Sequence, residues 1–131
     1  MQITSVAVFA KGNKILLEKR RKDEDNYANL FALPGGHKRK AESPKQALIR
    51  EIREELRVNI RKAEYIGMFR DIDPTSKDSF HHHAFLVNEY KGKIKKTTEQ
   101  ESLKWINLNK IKKLKNMNKV DIRIINKAGL I

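Results

Sequence analysis

The chain has 131 residues, a net charge of +13 and no cysteine. That length suits one compact domain over residues 1–131 with a single core. The missing cysteine excludes a disulfide framework, a thiolate metal site and a cysteine nucleophile, and no apolar run is long enough to span a membrane. Nothing reads as a signal peptide, repeat or linker, so the expectation is a cytoplasmic protein with no membrane partner.

Residues 3–9 are β-branched and apolar and predict a strand. Lys11-Gly12-Asn13 reads as a turn, and Ile15-Leu16-Leu17 resumes a strand that ends in Glu18-Lys19-Arg20-Arg21. The first twenty or so residues therefore read as a β-hairpin. Residues 30–33 form a short strand that enters Pro34-Gly35-Gly36, taken as a tight turn because glycine tolerates positive φ. His37 to Glu42 is a loop with three successive basic residues, Lys38-Arg39-Lys40.

Ser43 is a preferred N-cap, Pro44 suits the first helical position, and Gln46 completes a capping box. The helix runs to about Leu56. Leu48, Ile52 and Leu56 make an apolar stripe at i, i+4 and i+8. Glu51, Glu54 and Glu55 share one face, where like charges repel. A hard divalent cation, which prefers oxygen ligands, would convert that repulsion into a site. Arg50 and Arg53 as counter-charges on a solvated face are the simpler alternative.

Residues 63–69 predict a strand, and residues 71–79 a polar loop holding Pro74. Residues 80–90 predict another strand, containing His81-His82-His83. Neighbours in a strand point to opposite faces, so only His81 and His83 share one; this is weak support for a metal, although one of the three could line a base pocket. Gly92 is expected to close the next hairpin. Residues 102–106 form a strand around Trp105. Asn107 or Asn109 caps a closing helical region, broken near Asn116 and stopped at Gly129. From Lys91 onward twelve Lys/Arg face Glu99, Glu101 and Asp121, a surplus of nine positive charges. Such a surface favours phosphate-bearing partners, or simply confers solubility.

Gly36, Glu42, Arg50, Glu51, Ile52, Glu54, Glu55 and Val58 fall at the spacing of the Nudix box, G-x5-E-x7-R-E-U-x-E-E-x-G-U, where U is aliphatic. The chain thus resembles the Nudix (MutT-like) hydrolases. One position departs, with Arg57 standing at the second glycine. Either the helix continues through Arg57 and Asn59 takes the left-handed position, or Arg57 is mildly strained.

The resemblance implies an α/β fold, a mixed β-sheet sandwiched between helices. It implies Mg2+ or Mn2+ held by Glu51, Glu54 and Glu55 with the Gly35 carbonyl, and a general base among Glu51, Glu54 and Glu99. Arg50 would orient the glutamates, with Glu42 supporting it from behind. Arg20, with Arg21 next, matches the family's phosphate-side arginine. Gly36 and His37, in the string LPGGH, would line the substrate site. Glu99 would reach the metal cluster from outside the box, with Glu101 as its rival. The implied activity is hydrolysis of a nucleoside diphosphate linked to another group. The first choice is a nucleoside triphosphate, an oxidised one included, cleaved to the monophosphate and pyrophosphate. The alternatives are ADP-ribose or a nucleotide sugar, to which Pro74 points, an RNA 5′ end held by the basic tail, and a non-catalytic nucleotide-binding module. A monomer or a homodimer is expected.

Overall fold

A computed structural model of the chain describes residues 1–24 and 26–131. Strand β1 (Gln2–Val8) is buried on both faces from Thr4 onward, so it must lie inside a sheet rather than at an edge. It pairs antiparallel with β5 (Gly35–His37) and parallel with β7 (Ser79–Lys91); β6 (Asn59–Ile72) adds antiparallel to β7. The second sheet is built on β3 (Lys14–Arg20). It pairs with β8 (Gln100–Asn107), and with the short β2 (Ala10–Lys11) and β4 (Phe31–Ala32).

Helix α1 (Pro44–Leu56) covers one side of this assembly, and α2 (Lys119–Lys127), preceded by a 3₁₀ turn over Leu108–Lys113, covers the other. The strand period of two divides the core accordingly. Ala7, Phe9 and Leu16 pack with Leu48, Ile52 and Leu56 of α1. Val6, Val8, Ile15 and Leu17 pack with Val120, Ile124 and Ile125 of α2. Leu48, Ile52 and Leu56 are fully buried, each contributing roughly 1.5–3 kcal/mol over an exposed side chain. The α/β class and the mixed sheet between helices are those expected. No helix among the described residues is long and apolar enough to cross a membrane.

Three local expectations are corrected. The first twenty residues are not one hairpin. The chain leaves the first sheet at Phe9, and only β2 turns back onto β3, because β1 needs partners on both edges. Gly35 and Gly36 form strand β5 rather than a tight turn, and neither has positive φ. Gly92 (φ 108°) does not close a hairpin; residues 92–99 carry the chain from one sheet to the other, and Lys95 N–H donates to the Leu56 carbonyl at 3.0 Å. Of the two alternatives for the end of α1 the second holds: the helix ends at Leu56, as expected, and Arg57 rather than Asn59 is left-handed (φ 63°, ψ 28°). The start of α1 has the expected capping box: Ser43 Oγ accepts from Gln46 N–H at 3.1 Å, and Gln46 Oε1 accepts from Ser43 N–H at 2.8 Å.

Candidate active site

Helix α1 aims Glu51 and Glu55, one turn apart, into a cleft. Glu18 and Arg20 of β3, Gly35 to His37 of β5, and Thr98 and Glu99 of the loop before β8 form its other walls. The two glycines let the strand pass close to its neighbours. A Cβ on Gly35 would collide with the Ser5 carbonyl and the Val6 backbone, and one on Gly36 with the Glu51 carboxylate. Close approach, rather than turn geometry, is the reason for glycine here.

Arg50 is the hub behind the acids. It donates to both oxygens of Glu42 at 2.5 and 2.8 Å, to Glu51 at 2.7 Å and to the His37 carbonyl at 2.9 Å. Its contact with Glu54 is longer, 3.4 Å. Those bonds hold the Glu42 carboxyl down, at about 2. The bidentate pair ties the loop after β5 to α1 and fixes the Glu51 side chain. Glu54 does not line the cleft, and its side chain is 45% exposed. His37 hydrogen-bonds Gln2 of β1, an ordering contact rather than a chemical one.

Of Glu99, just before β8, and Glu101, within it, Glu99 lines this cleft. Glu101 lines an adjoining one, which shares Arg21, Asp23 and Thr98 with it. Partial burial raises the Glu99 carboxyl above its ordinary range, and the Glu51 and Glu54 charges add to this. Arg20 reaches the cleft while its Nε donates to the Asn26 carbonyl at 3.0 Å.

Two acids sit deeper. Glu18 is 3% exposed and Glu55 7%, and one oxygen of each is buried with no hydrogen-bond partner. Burial drives the Glu18 carboxyl up to about 8. Burial and the Glu18 charge drive Glu55 well above the ordinary carboxylate range. Among the described residues no three His, Asp or Glu side chains already converge closely enough to hold an ion. Arg50 draws Glu51 and Glu54 to itself instead. The donor set nonetheless suits a hard divalent cation: it is all oxygen, and its orphaned buried atoms are ones a cation would satisfy.

A narrower pocket opens on the α2 side of the sheets and shares Glu18, Arg20, Gly35 and Gly36 with the cleft. His82 is the histidine of the triplet that faces it. The ring is buried, nearly parallel to Phe80 (7° between planes, centroids 5.2 Å apart), and held by Thr4 at 2.6 Å and Asp71 at 2.7 Å. Burial lowers its pKa. Tyr27, Asn118 and Asp121 complete the lining. Phe80 is thus an aromatic of the pocket beside Tyr27, whereas Phe31 and Phe69 pack against the core.

Glu18, Tyr27, Asn118 and Asp121 do not stand out as site residues in the sequence. Glu18 had a usable signal. It follows Leu16 and precedes Arg20 at strand spacing, so all three share the α1 face, and an acid on that face is out of pattern. Asn118 and Asp121 carried no such mark within a lysine-rich segment.

The NUDIX domain family model matches residues 1–128. The CTP pyrophosphohydrolase of Escherichia coli (strain K12) is 33% identical over 99 residues, which cover 76% of this chain and 70% of that protein. The ADP-ribose pyrophosphatase of Methanocaldococcus jannaschii is 28% identical over 107 residues; this chain covers 82% of itself but 62% of that protein's length. The crystal structure of a MutT NUDIX hydrolase from Burkholderia pseudomallei superposes with a TM-score of 0.84 over 96% of each chain, at 22% identity.

Proposed function

Since this chain belongs to the NUDIX family and is a hydrolase of phosphoanhydride bonds, we propose that its substrate is a nucleoside triphosphate, released as the monophosphate and pyrophosphate. One observation carries the choice of substrate. The acidic cleft and the pocket beside Phe80 and His82 share four lining residues, Glu18, Arg20, Gly35 and Gly36. A base in the pocket would therefore have the acidic cleft beside it for its own phosphates. The naming of an E. coli relative as a CTP pyrophosphohydrolase agrees with this reading.

Glu51, Glu54, Glu55 and the Gly35 carbonyl would hold the divalent cation. When bound, such an ion neutralises phosphate charge and lowers the pKa of a water that attacks phosphorus. The chain's own residues do the rest. Arg20 meets the phosphates at the cleft wall. Arg50 holds Glu51 in place through its bonds to Glu42 and His37. Glu51 and Glu99 line the cleft and would take the water's proton, ahead of Glu54, which is more exposed and does not line it. Water adds to one phosphorus as the bridging P–O bond breaks, so the products share the atoms of one triphosphate and one water.

The archaeal relative named for ADP-ribose supports a second reading. Pro74 lines a cleft with Ile72 and Met117 that adjoins the base pocket at Asn118 and includes none of the acids of the acidic cleft. A substrate panel with Mg2+ tests the choice: CTP and the other nucleoside triphosphates, 8-oxo-dGTP, ADP-ribose and 5′-triphosphorylated RNA. Pyrophosphate release from a triphosphate, lost on EDTA addition and in Glu55→Gln, is expected. Preference for ADP-ribose or RNA would replace the proposed substrate. No turnover of any by the folded chain would overturn the assignment of this site.

A further inference from the structure

Glu18 stands outside the box that carries the family resemblance, yet it is the acid most deeply placed in the cleft. Its neighbours on the same face of β3 are Leu16, which packs in the core, and Arg20, which is engaged with Asn26 and with Glu24 at 3.6 Å. An apolar residue would be the ordinary occupant of such a position. Instead, Glu18 Oε2 and Glu55 Oε2 are both buried and without a partner. A buried acceptor left unpaired is destabilising, and two carboxyl groups in one dry pocket oppose each other's ionisation. A pair of this kind is a liability to the fold unless a third party satisfies it.

We propose that Glu18 is an additional ligand of the cation site, joining Glu55 to bind an inner divalent ion at the point where the acidic cleft meets the base pocket. This rests on reading the cleft as a divalent-cation site. The cluster of acids alone would not carry it; the buried, unpartnered oxygen of Glu18, in a side chain that lines the same cleft as Glu51, Gly35 and Glu55, does. The position also explains why Glu18 lines both cavities. An ion held there would sit next to the first phosphate after the ribose. Arg20 on the same strand face would be its positively charged neighbour on the substrate side.

The competing account is a Glu18–Glu55 pair that holds one proton and plays a purely structural part. Mn2+ binding to the full chain without nucleotide separates the two, followed by the electron paramagnetic resonance of free Mn2+ and by calorimetry. Relative to wild type, Glu18→Gln should lose one bound ion or weaken Mn2+ binding by about ten-fold or more, while Glu101→Gln, which does not line the acidic cleft, matches wild type. Unchanged stoichiometry and affinity in Glu18→Gln would overturn the proposal. Melting supplies a second readout. In EDTA, Glu18→Gln should melt above wild type, because a buried carboxyl has been removed, and Mn2+ should raise wild type more than the variant. A lower melting temperature in EDTA, with an unchanged Mn2+ shift, would assign Glu18 a structural part and sink the idea. Mn2+ binding that depends on Glu18 in a chain that cleaves no nucleotide would remove the hydrolase substrate reading and leave this assignment standing. Nucleotide cleavage with Mn2+ binding indifferent to Glu18→Gln would do the reverse.

Discussion

The Glu51 carboxylate lies against the α-carbon of Gly36, so that any Cβ at that position would occupy the space of the carboxyl group. The neighbouring Gly35 meets backbone instead, the Ser5 carbonyl and Val6. The two glycines are adjacent, but their constraints act on different things. One guards the position of a flexible side chain, the other the pairing of two strands.

Gly36→Ala should therefore leave the fold nearly as stable while displacing Glu51 from the cleft. We expect kcat/KM to fall by about ten-fold or more, with melting little changed. Gly35→Ala should do the opposite first, destabilising the β1–β5 pairing by roughly 1–3 kcal/mol. Thermal melts alongside kcat/KM for both variants check this. Equal stability losses for the two would contradict the distinction.

Arg50 holds Glu42 with both arms of its guanidinium and Glu51 with one. Lysine keeps the charge but cannot span both carboxylates. Arg50→Lys should lower kcat by about ten- to a hundred-fold, with a smaller effect on KM, because it misplaces an acid rather than removing a substrate contact. A loss confined to KM would point to direct phosphate binding by Arg50.

Arg57 occupies a left-handed conformation where the family box has glycine. The strain costs about 1 kcal/mol, partly offset by the greater freedom of glycine in the unfolded chain. Arg57→Gly should stabilise the protein by roughly 0.5–1 kcal/mol in urea unfolding, with turnover unchanged. A large rise in turnover would mean that the C-terminal end of α1 is a functional element, not merely a strained one.

Asp121 is buried in α2, where its carboxylate accepts from the Leu33 N–H at 3.0 Å. Burial pushes its pKa from 3.8 up to about 7. Above pH 3.8 the unfolded chain releases this proton while the folded chain keeps it, up to about pH 7. Its contribution to stability is thus present below the unfolded value and lost as pH rises through the folded one, at no more than about 1.4 kcal/mol per pH unit. Asp121→Asn retains an acceptor for Leu33 and cannot ionise. It should melt higher than wild type at pH 8 and show a flatter pH dependence between pH 4 and 7. A wild-type profile no steeper than that of the variant would contradict the assignment.

The sequence by itself determined what short spacing can encode. The capping box at Ser43, the apolar stripe through Leu56, the acids one turn apart and the break before α2 all depend on contacts within a few residues of chain. Side-chain caps and the 3.6-residue period express these locally. The reaction class follows from that same stretch.

The tertiary structure decided whatever depends on which strands meet. Gly35 and Gly36 looked like a turn because glycine is permissive of several conformations; pairing with β1 makes them a strand. Glu99 was preferred to its rival Glu101 only by likeness to the family, and it is the loop between the sheets that directs Glu99 into the acidic cleft. His82 was one of three like residues until strand pleat and register set it beneath Phe80. Glu18 meets Glu55 across 37 positions of sequence, and only the packing of β3 against α1 brings them together. Burial of those two carboxyls is a property of the assembled core. No local pattern records it, because the cost of a buried charge arises only when water is excluded by residues distant in the chain.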